Sequence, residues 1–239
     1  SADVKIGAVD LSGSSEFATP YSFHTIVDEC VIPPYVFEDG EWKEVAPFSG
    51  YEEITFPAPI GTAVAHYTIH SEVATFPISF KAKGIKRATF RIAFPAEFIR
   101  VLKTLAELKL LSDTPVKVKD MSVKPRDLVV AVLGQPPPDT GEAPNDCDCI
   151  RVDVVGERQG RETTYIMEAL VRPHPRWKVS AGALDTGVPP SIVAQMMATG
   201  EIPDRGVLSP EQCVSPEPFF EALAKRGIDV HATVREAVT

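Results

Sequence analysis

The sequence of 239 residues has no apolar run near the roughly 20 residues that span a bilayer. Its first residues, Ser-Ala-Asp-Val-Lys, have neither the basic nor the apolar region of a secretion signal. Neither membrane insertion nor export is expected, and a cytoplasmic location is. Basic residues are in deficit: 24 Lys and Arg against 33 Asp and Glu give a net charge of −9, which argues against a broad nucleic-acid-binding surface. Four cysteines in a chain this long do not make a disulfide framework. Cys147 and Cys149 are one residue apart, closer than common zinc pairs, and no second Cys/His pair accompanies them, so no metal site is expected. There is no G-x-G-x-x-G fingerprint, no G-x-S-x-G elbow and no internal repeat.

What remains is an ordinary globular composition, 44% apolar and 24% charged, with enough chain to bury a real core. Val4-Lys5-Ile6-Gly7-Ala8-Val9 reads as a strand that starts almost at once, the pattern of a chain opening in mid-fold. A flexible loop is expected at 12–15, and 22–30 suits either a short helix or an extended segment. Tyr35-Val36-Phe37 and 42–45 flank Glu38-Asp39-Gly40-Glu41, a strong hairpin signal because glycine accepts positive φ at little cost. Further strands are expected at 52–56, at 62–69 and, half-exposed through alternation, at 85–94. Pro95 opens a helix whose apolar positions run from Phe98 to Leu111 along one face. A second helix spans 128–133, a proline-rich loop covers 135–145, and two long strands at 149–157 and 161–171 form a hairpin. In 185–200, Thr186-Gly187 reads as a turn, Pro189-Pro190 as a helix start and Gly200 as its left-handed cap. A last helix follows at 218–225. The order predicts an α+β fold with a mixed, largely antiparallel sheet and helices on one face.

The densest polar cluster is His66, His70, Ser71 and Glu72. A strand carrying His66 into a turn carrying His70 and Glu72 can bring an imidazole and a carboxylate into one cleft, where histidine serves proton transfer near neutral pH. The same residues also read as a helix start, with Ser71 as cap and Glu72 favouring the positive end of the dipole. Arg91 reads either as a bidentate carboxylate binder in a cleft or as a solvent-face partner of Arg87.

Several stretches together resemble the saccharopine dehydrogenase family, saccharopine reductases and lysine 6-dehydrogenase-like enzymes in particular. They are Pro47-Phe48-Ser49-Gly50-Tyr51-Glu52, the strand-to-helix segment 91–111, Val123-Lys124-Pro125-Arg126-Asp127, Thr186-Gly187-Val188-Pro189-Pro190, Gly206-Val207-Leu208-Ser209-Pro210-Glu211 and Ala224-Lys225-Arg226-Gly227. The resemblance covers most of the chain. It implies a substrate-binding and dimerisation domain at 1–180 and C-terminal helices at 181–239 that pack toward an N-terminal Rossmann domain not contained here. It further implies an NAD(P)-dependent oxidoreductase acting on a C–N bond of an amino acid such as saccharopine, lysine or a polyamine precursor. NAD or NADP would be bound mainly outside this chain, the chain alone would be inactive, and a homodimer is expected. Substrate contacts implied by the resemblance are His24, Thr25, His66, Tyr67, His70, Ser71, Glu72 and Arg91, and Thr186 and Gly187 would face the nicotinamide. The family's substrate-side histidine aligns with Tyr67, with histidines at 66 and 70. No catalytic residue is assigned. A non-catalytic binding or dimerisation module of the same fold is the alternative.

Overall fold

The structure, a computed structural model, describes residues 1–11, 21–133 and 144–237; the loop expected at 12–15 and most of that at 135–145 lie outside these residues. The chain begins with β1 (Ala2–Asp10) and α1 (Phe23–Val31), then the hairpin β2 (Tyr35–Glu38) and β3 (Glu41–Glu44). Asp39 and Gly40 both have positive φ, 56° and 88°, which is the conformation that lets a two-residue turn follow the strand twist. The strands β4 (Glu52–Thr55) and β5 (Thr62–Tyr67) precede α2 (Glu72–Ser79) and β6 (Arg87–Ala93). Next come α3 (Ala96–Glu107), the small hairpin β7 (Val116–Val118) and β8 (Met121–Val123), and α4 (Pro125–Leu133). The long hairpin β9 (Asp146–Arg158) and β10 (Arg161–Val171) leads to α5 (Ala181–Thr199), α6 (Pro210–Cys213), α7 (Pro216–Ala224) and β11 (Val230–Glu236).

One nine-stranded sheet runs β11-β10-β9-β1-β6-β2-β3, with β5 also paired to β6 and β4 to β5. Among the described residues only β1 and β6 pair in parallel; the other ladders are antiparallel. The helices occupy one face. Ile6, Phe90, Ile92 and Val152 of the sheet pack against Phe23, Ile26 and Val27 of α1, Phe98 and Leu102 of α3 and Val129 of α4. Ala169 and Val171 are covered by the α5 stripe Ala181, Leu184, Val188, Ile192 and Met196, together with Leu223 of α7. On the opposite face β4 and β5 close a smaller core around Phe56, and a Cβ at Gly7 would fall 2.7 Å from the Phe56 ring, so glycine is what admits β4 there. This is the expected α+β architecture.

Four local readings are corrected. β6 is buried from Ala88 to Ala93 rather than half-exposed, because its alternate residues Thr89 and Arg91 are enclosed beneath the second face. The first long strand starts at Asp146 rather than 149, which places Cys147 inside the sheet with no exposed surface. Thr186-Gly187 is not a turn, and Pro189 and Pro190 do not start a helix. Both pairs lie inside α5, whose true start is Ser180, which accepts from the Ala183 N–H at 3.1 Å, while Asp146 accepts from the Ala181 N–H at 2.9 Å. The prolines remove two internal donors, but they sit beside the exposed positions Thr186, Gly187 and Pro190, where water can serve the released carbonyls. Finally, the segment after residue 181 is not helical throughout: β11 joins the sheet edge against β10, with Ala169 opposite Val230.

Gly187 sits mid-helix with nothing within 4 Å of the place a Cβ would take. Gly187→Ala is therefore expected to raise unfolding free energy by roughly 0.5–1 kcal/mol in urea denaturation. A lower midpoint would contradict a helix continuing through this position.

Candidate functional site

The linker from β5 to α2 carries the site. β5 delivers Tyr67 and Thr68, the chain turns at Ile69 and His70, and α2 begins at Glu72. His70 lies flat on Phe90 of β6, ring centroids 3.7 Å apart and planes 6° from parallel. Its Nδ1 is hydrogen-bonded to the Glu72 carboxylate, to which the Ser71 hydroxyl also donates at 3.2 Å. Burial pushes the Glu72 carboxyl up, but the His70 hydrogen bond and charge, with help from Ser71, leave it below its ordinary value. With Glu72 ionised, the proton of a neutral imidazole sits on Nδ1 and Nε2 is left as an acceptor. Ser71 precedes the helix as expected, yet its side chain makes no cap hydrogen bond; it serves Glu72 instead.

A second carboxylate stands close. Glu29 of α1 is 6% exposed and accepts a hydrogen bond from the Tyr21 hydroxyl. Burial raises its carboxyl, opposed by the Tyr21 bond and by the charge of His70. Tyr21 in turn packs on Phe94 at 6.3 Å. Beside His70 opens a cleft of ≈ 310 Å³ lined by Tyr35, Trp42, Ile69, His70, Val73 and Ala74. The arrangement offers a base or acid of fixed orientation at the edge of an apolar, aromatic recess.

The remaining residues picked out in the sequence lie elsewhere. His66 shares the helix-side face but packs edge-on against Phe48 at 6.3 Å, with Nδ1 buried and unpartnered; burial first, then the Lys103 charge, holds its imidazole below the ordinary value. Tyr67 and Arg91 pair across β5 and β6 on the other face of the sheet. The Arg91 guanidinium lies 4.1 Å over the Tyr67 ring and donates to the Tyr67 hydroxyl (2.7 Å), Thr89 (2.9 Å) and the Gly50 carbonyl (2.8 Å), with Glu52 at 3.4 Å. It is neither on a solvent face nor open to a cleft. His24 and Thr25 are exposed on α1, where His24 Nδ1 is 3.2 Å from Arg126 and 3.6 Å from Asp28. Thr186 and Gly187 are exposed on α5. The structure thus unites His70, Ser71 and Glu72, and adds Glu29, Tyr21 and Trp42. Nothing in the local pattern flags these three: Glu29 reads as one of two acids on a short segment, and Trp42 as a strand residue.

Among the described residues no three His, Cys, Asp or Glu side chains are placed to hold a metal ion, and no helix is long and apolar enough to cross a membrane. Residues 6–228 match the saccharopine dehydrogenase C-terminal domain. The chain belongs to the saccharopine dehydrogenase family. Within that family it is similar to the carboxynorspermidine synthase of Vibrio alginolyticus, 29% identical over 222 residues, covering 90% of this chain and 52% of that protein. It is also similar to the carboxyaminopropylagmatine dehydrogenase of Synechocystis sp., 26% identical over 221 residues, covering 91% of this chain and 54% of that protein. The chain therefore spans about half the length of these relatives. The saccharopine dehydrogenase fold is matched as well by the apo saccharopine dehydrogenase (L-Glu forming) of Saccharomyces cerevisiae, with a TM-score of 0.71 over 98% of this chain and 67% of that one, at 14% identity.

Proposed function

We propose that this chain is the substrate-binding part of an NAD(P)-dependent oxidoreductase that makes or breaks a C–N bond of an amino acid or amino-acid-derived polyamine precursor. The observation that carries the reading is the family match over residues 6–228, supported by two relatives whose names specify carboxylated amines. The chain has no glycine-rich phosphate cradle, and its one proposed nucleotide contact, Thr186-Gly187, is an open helix surface, so the nucleotide belongs mainly to a domain outside these residues. When bound there, the nicotinamide supplies or accepts the hydride. That upstream nucleotide domain and a second copy of the whole protein are the macromolecular partners in this reading.

The work assigned to this chain is binding and proton handling. His70 Nε2, oriented by Glu72 at Nδ1 and by Phe90 beneath the ring, accepts a proton from the attacking amine when the bond is made and gives one to the departing amine when it is broken. Ser71 keeps Glu72 in place. In the longer protein, NAD(P)H should be oxidised when a primary amine or α-amino acid is supplied with a semialdehyde or α-keto acid. His70→Gln should lower kcat/KM by roughly 10²- to 10⁴-fold without loss of folding. Absence of turnover with every such pair, in protein that folds and binds the nucleotide, would refute the dehydrogenase reading. Undiminished activity in His70→Gln would remove the histidine from it.

A further inference from the structure

The His70 cleft has one wall that the proton-handling role leaves unexplained. β3 is exposed along its whole length, and Trp42 in it keeps 47% of its surface in solvent. An indole so exposed is ordinarily free to move, yet this one is fixed from two sides. Its Nε1 donates to the Val73 carbonyl of α2 at 3.0 Å, and its ring meets Phe37 edge-on at 5.0 Å and 62°. Tyr35, 51% exposed, lines the same recess, and its hydroxyl donates to Glu44 at 3.2 Å, which sets a carboxylate at the outer rim. Among the described residues no lysine or arginine lines the cleft, and Lys43 next door is turned to Glu38 and Asp39. Two held aromatic faces, an aliphatic floor from Val73 and Ala74 and an acid at the rim match a short hydrocarbon chain ending in a cation.

Resting on the proposed function, we infer that the Trp42–Tyr35 wall is the subsite for the alkylammonium arm of the amine substrate. The methylenes lie along the indole and the floor, and the far ammonium sits at the Tyr35 ring and Glu44 while the reacting amine approaches His70. A substrate with a second cationic end at a few methylenes' distance is selected over a neutral one of equal length.

The chain contains two tryptophans, Trp42 and Trp177, so Trp177→Phe leaves Trp42 as the sole indole reporter. Titrating this variant with 1,4-diaminobutane should change the emission saturably, whereas n-butanol should need at least about tenfold higher concentration. No emission change with the diamine, or an equal response to n-butanol, would overturn the subsite. In the longer protein, Trp42→Phe and Glu44→Gln should each raise the amine KM roughly 3- to 10-fold with kcat nearly constant. An amine KM unchanged in both variants would equally overturn it. The two proposals separate cleanly. Diamine binding in a protein that turns over no amine–carbonyl pair leaves the subsite and sinks the dehydrogenase, whereas turnover insensitive to Trp42 and Glu44 does the reverse.

Discussion

Asp148→Asn is expected to stabilise the fold at pH 8.5 by roughly 2–4 kcal/mol and to change it little at about pH 3.5. Asp148 on β9 and Asp185 on α5 share a hydrogen bond where the helix crosses the strand, and Asp146 lies at the same junction. Burial, then the charges of Asp185 and Asp146, push the Asp148 carboxyl up to about 7; burial, against the help of Thr186, pushes Asp185 up to about 6. Like charges this close in a dry site cannot both ionise without cost, so the pair keeps a proton, with the Asp148 carboxyl donating. The folded state then binds more protons than the unfolded chain, whose aspartates titrate near 3.8. Stability from this junction is fully present below that value and is lost as pH rises through about 7. An asparagine donates the same hydrogen bond without titrating. Urea denaturation of both proteins at the two pH values isolates the effect, since the other carboxylates cancel in the difference. An equal stability gap at both pH values would show that the junction does not hold a proton.

The second large effect concerns Arg91. Arg91→Ala should cost roughly 3–5 kcal/mol of unfolding free energy, because it removes a buried cation from between Glu52, Thr89, Tyr67 and the Gly50 carbonyl and leaves the space empty. On the sheet face away from the helices, a chain of polar and charged groups runs from buried Asp3 through Thr89 to Arg91, on to the partly exposed Glu52, then to buried Lys5 and from it to Asp153 and Arg151. Lys5 reaches Glu52 and Asp153 at 2.8 Å each, and both Lys5 and Arg91 are less than a tenth exposed. Arg91→Lys should recover only part of the loss, since one ammonium cannot reach the Gly50 carbonyl, Thr89 and Tyr67 as the planar fork does. The measurement is the urea midpoint of the three proteins. If Arg91→Ala remained within about 1 kcal/mol of the parent while the carboxylate substrate's KM rose sharply in the longer protein, Arg91 would be a ligand group after all, as the resemblance implies, and the enclosed network would not be what holds the face together.

These two cases also show where sequence reasoning ends. Elements governed by local rules were legible: Asp39-Gly40 dictates its hairpin, the Pro95 opening and the stripe from Phe98 to Leu105 dictate α3, which stops at Glu107 short of the expected Leu111 and leaves Leu108 exposed, and alternation marks β9 and β10. The family, too, could be read from stretches spread along the chain. What failed was decided by partners distant in sequence. Arg91 alternates with apolar neighbours just as a solvent-facing arginine would, and only Gly50, Glu52 and Tyr67 folding over it bury it. The start of α5 was masked because Pro189 and Pro190 carry a strong local signal for a first turn, whereas the real start depends on Ser180 and on Asp146 reaching across from β9. β11 is short and largely exposed, so its pairing with β10 leaves little hydrophobic trace. At the candidate site the cluster His70, Ser71, Glu72 was visible because its members are contiguous. Glu29 and Trp42 approach it only through α1 and the β2–β3 hairpin.

The position of β1 bears on the order in which this chain can acquire its structure. Ala2 pairs with Ala88 on one side and Val154 on the other, so the first strand sits in the middle of the sheet. It has no partner until β6 has been made and only half its hydrogen bonds until β9 follows, some 150 residues later. Contacts at such separations close slowly because loop entropy must be overcome before they contribute. During synthesis the opening strand waits unpaired while α1, the β2–β3 hairpin and α3 can already form. β1 gains its second neighbour only when the long β9–β10 hairpin arrives.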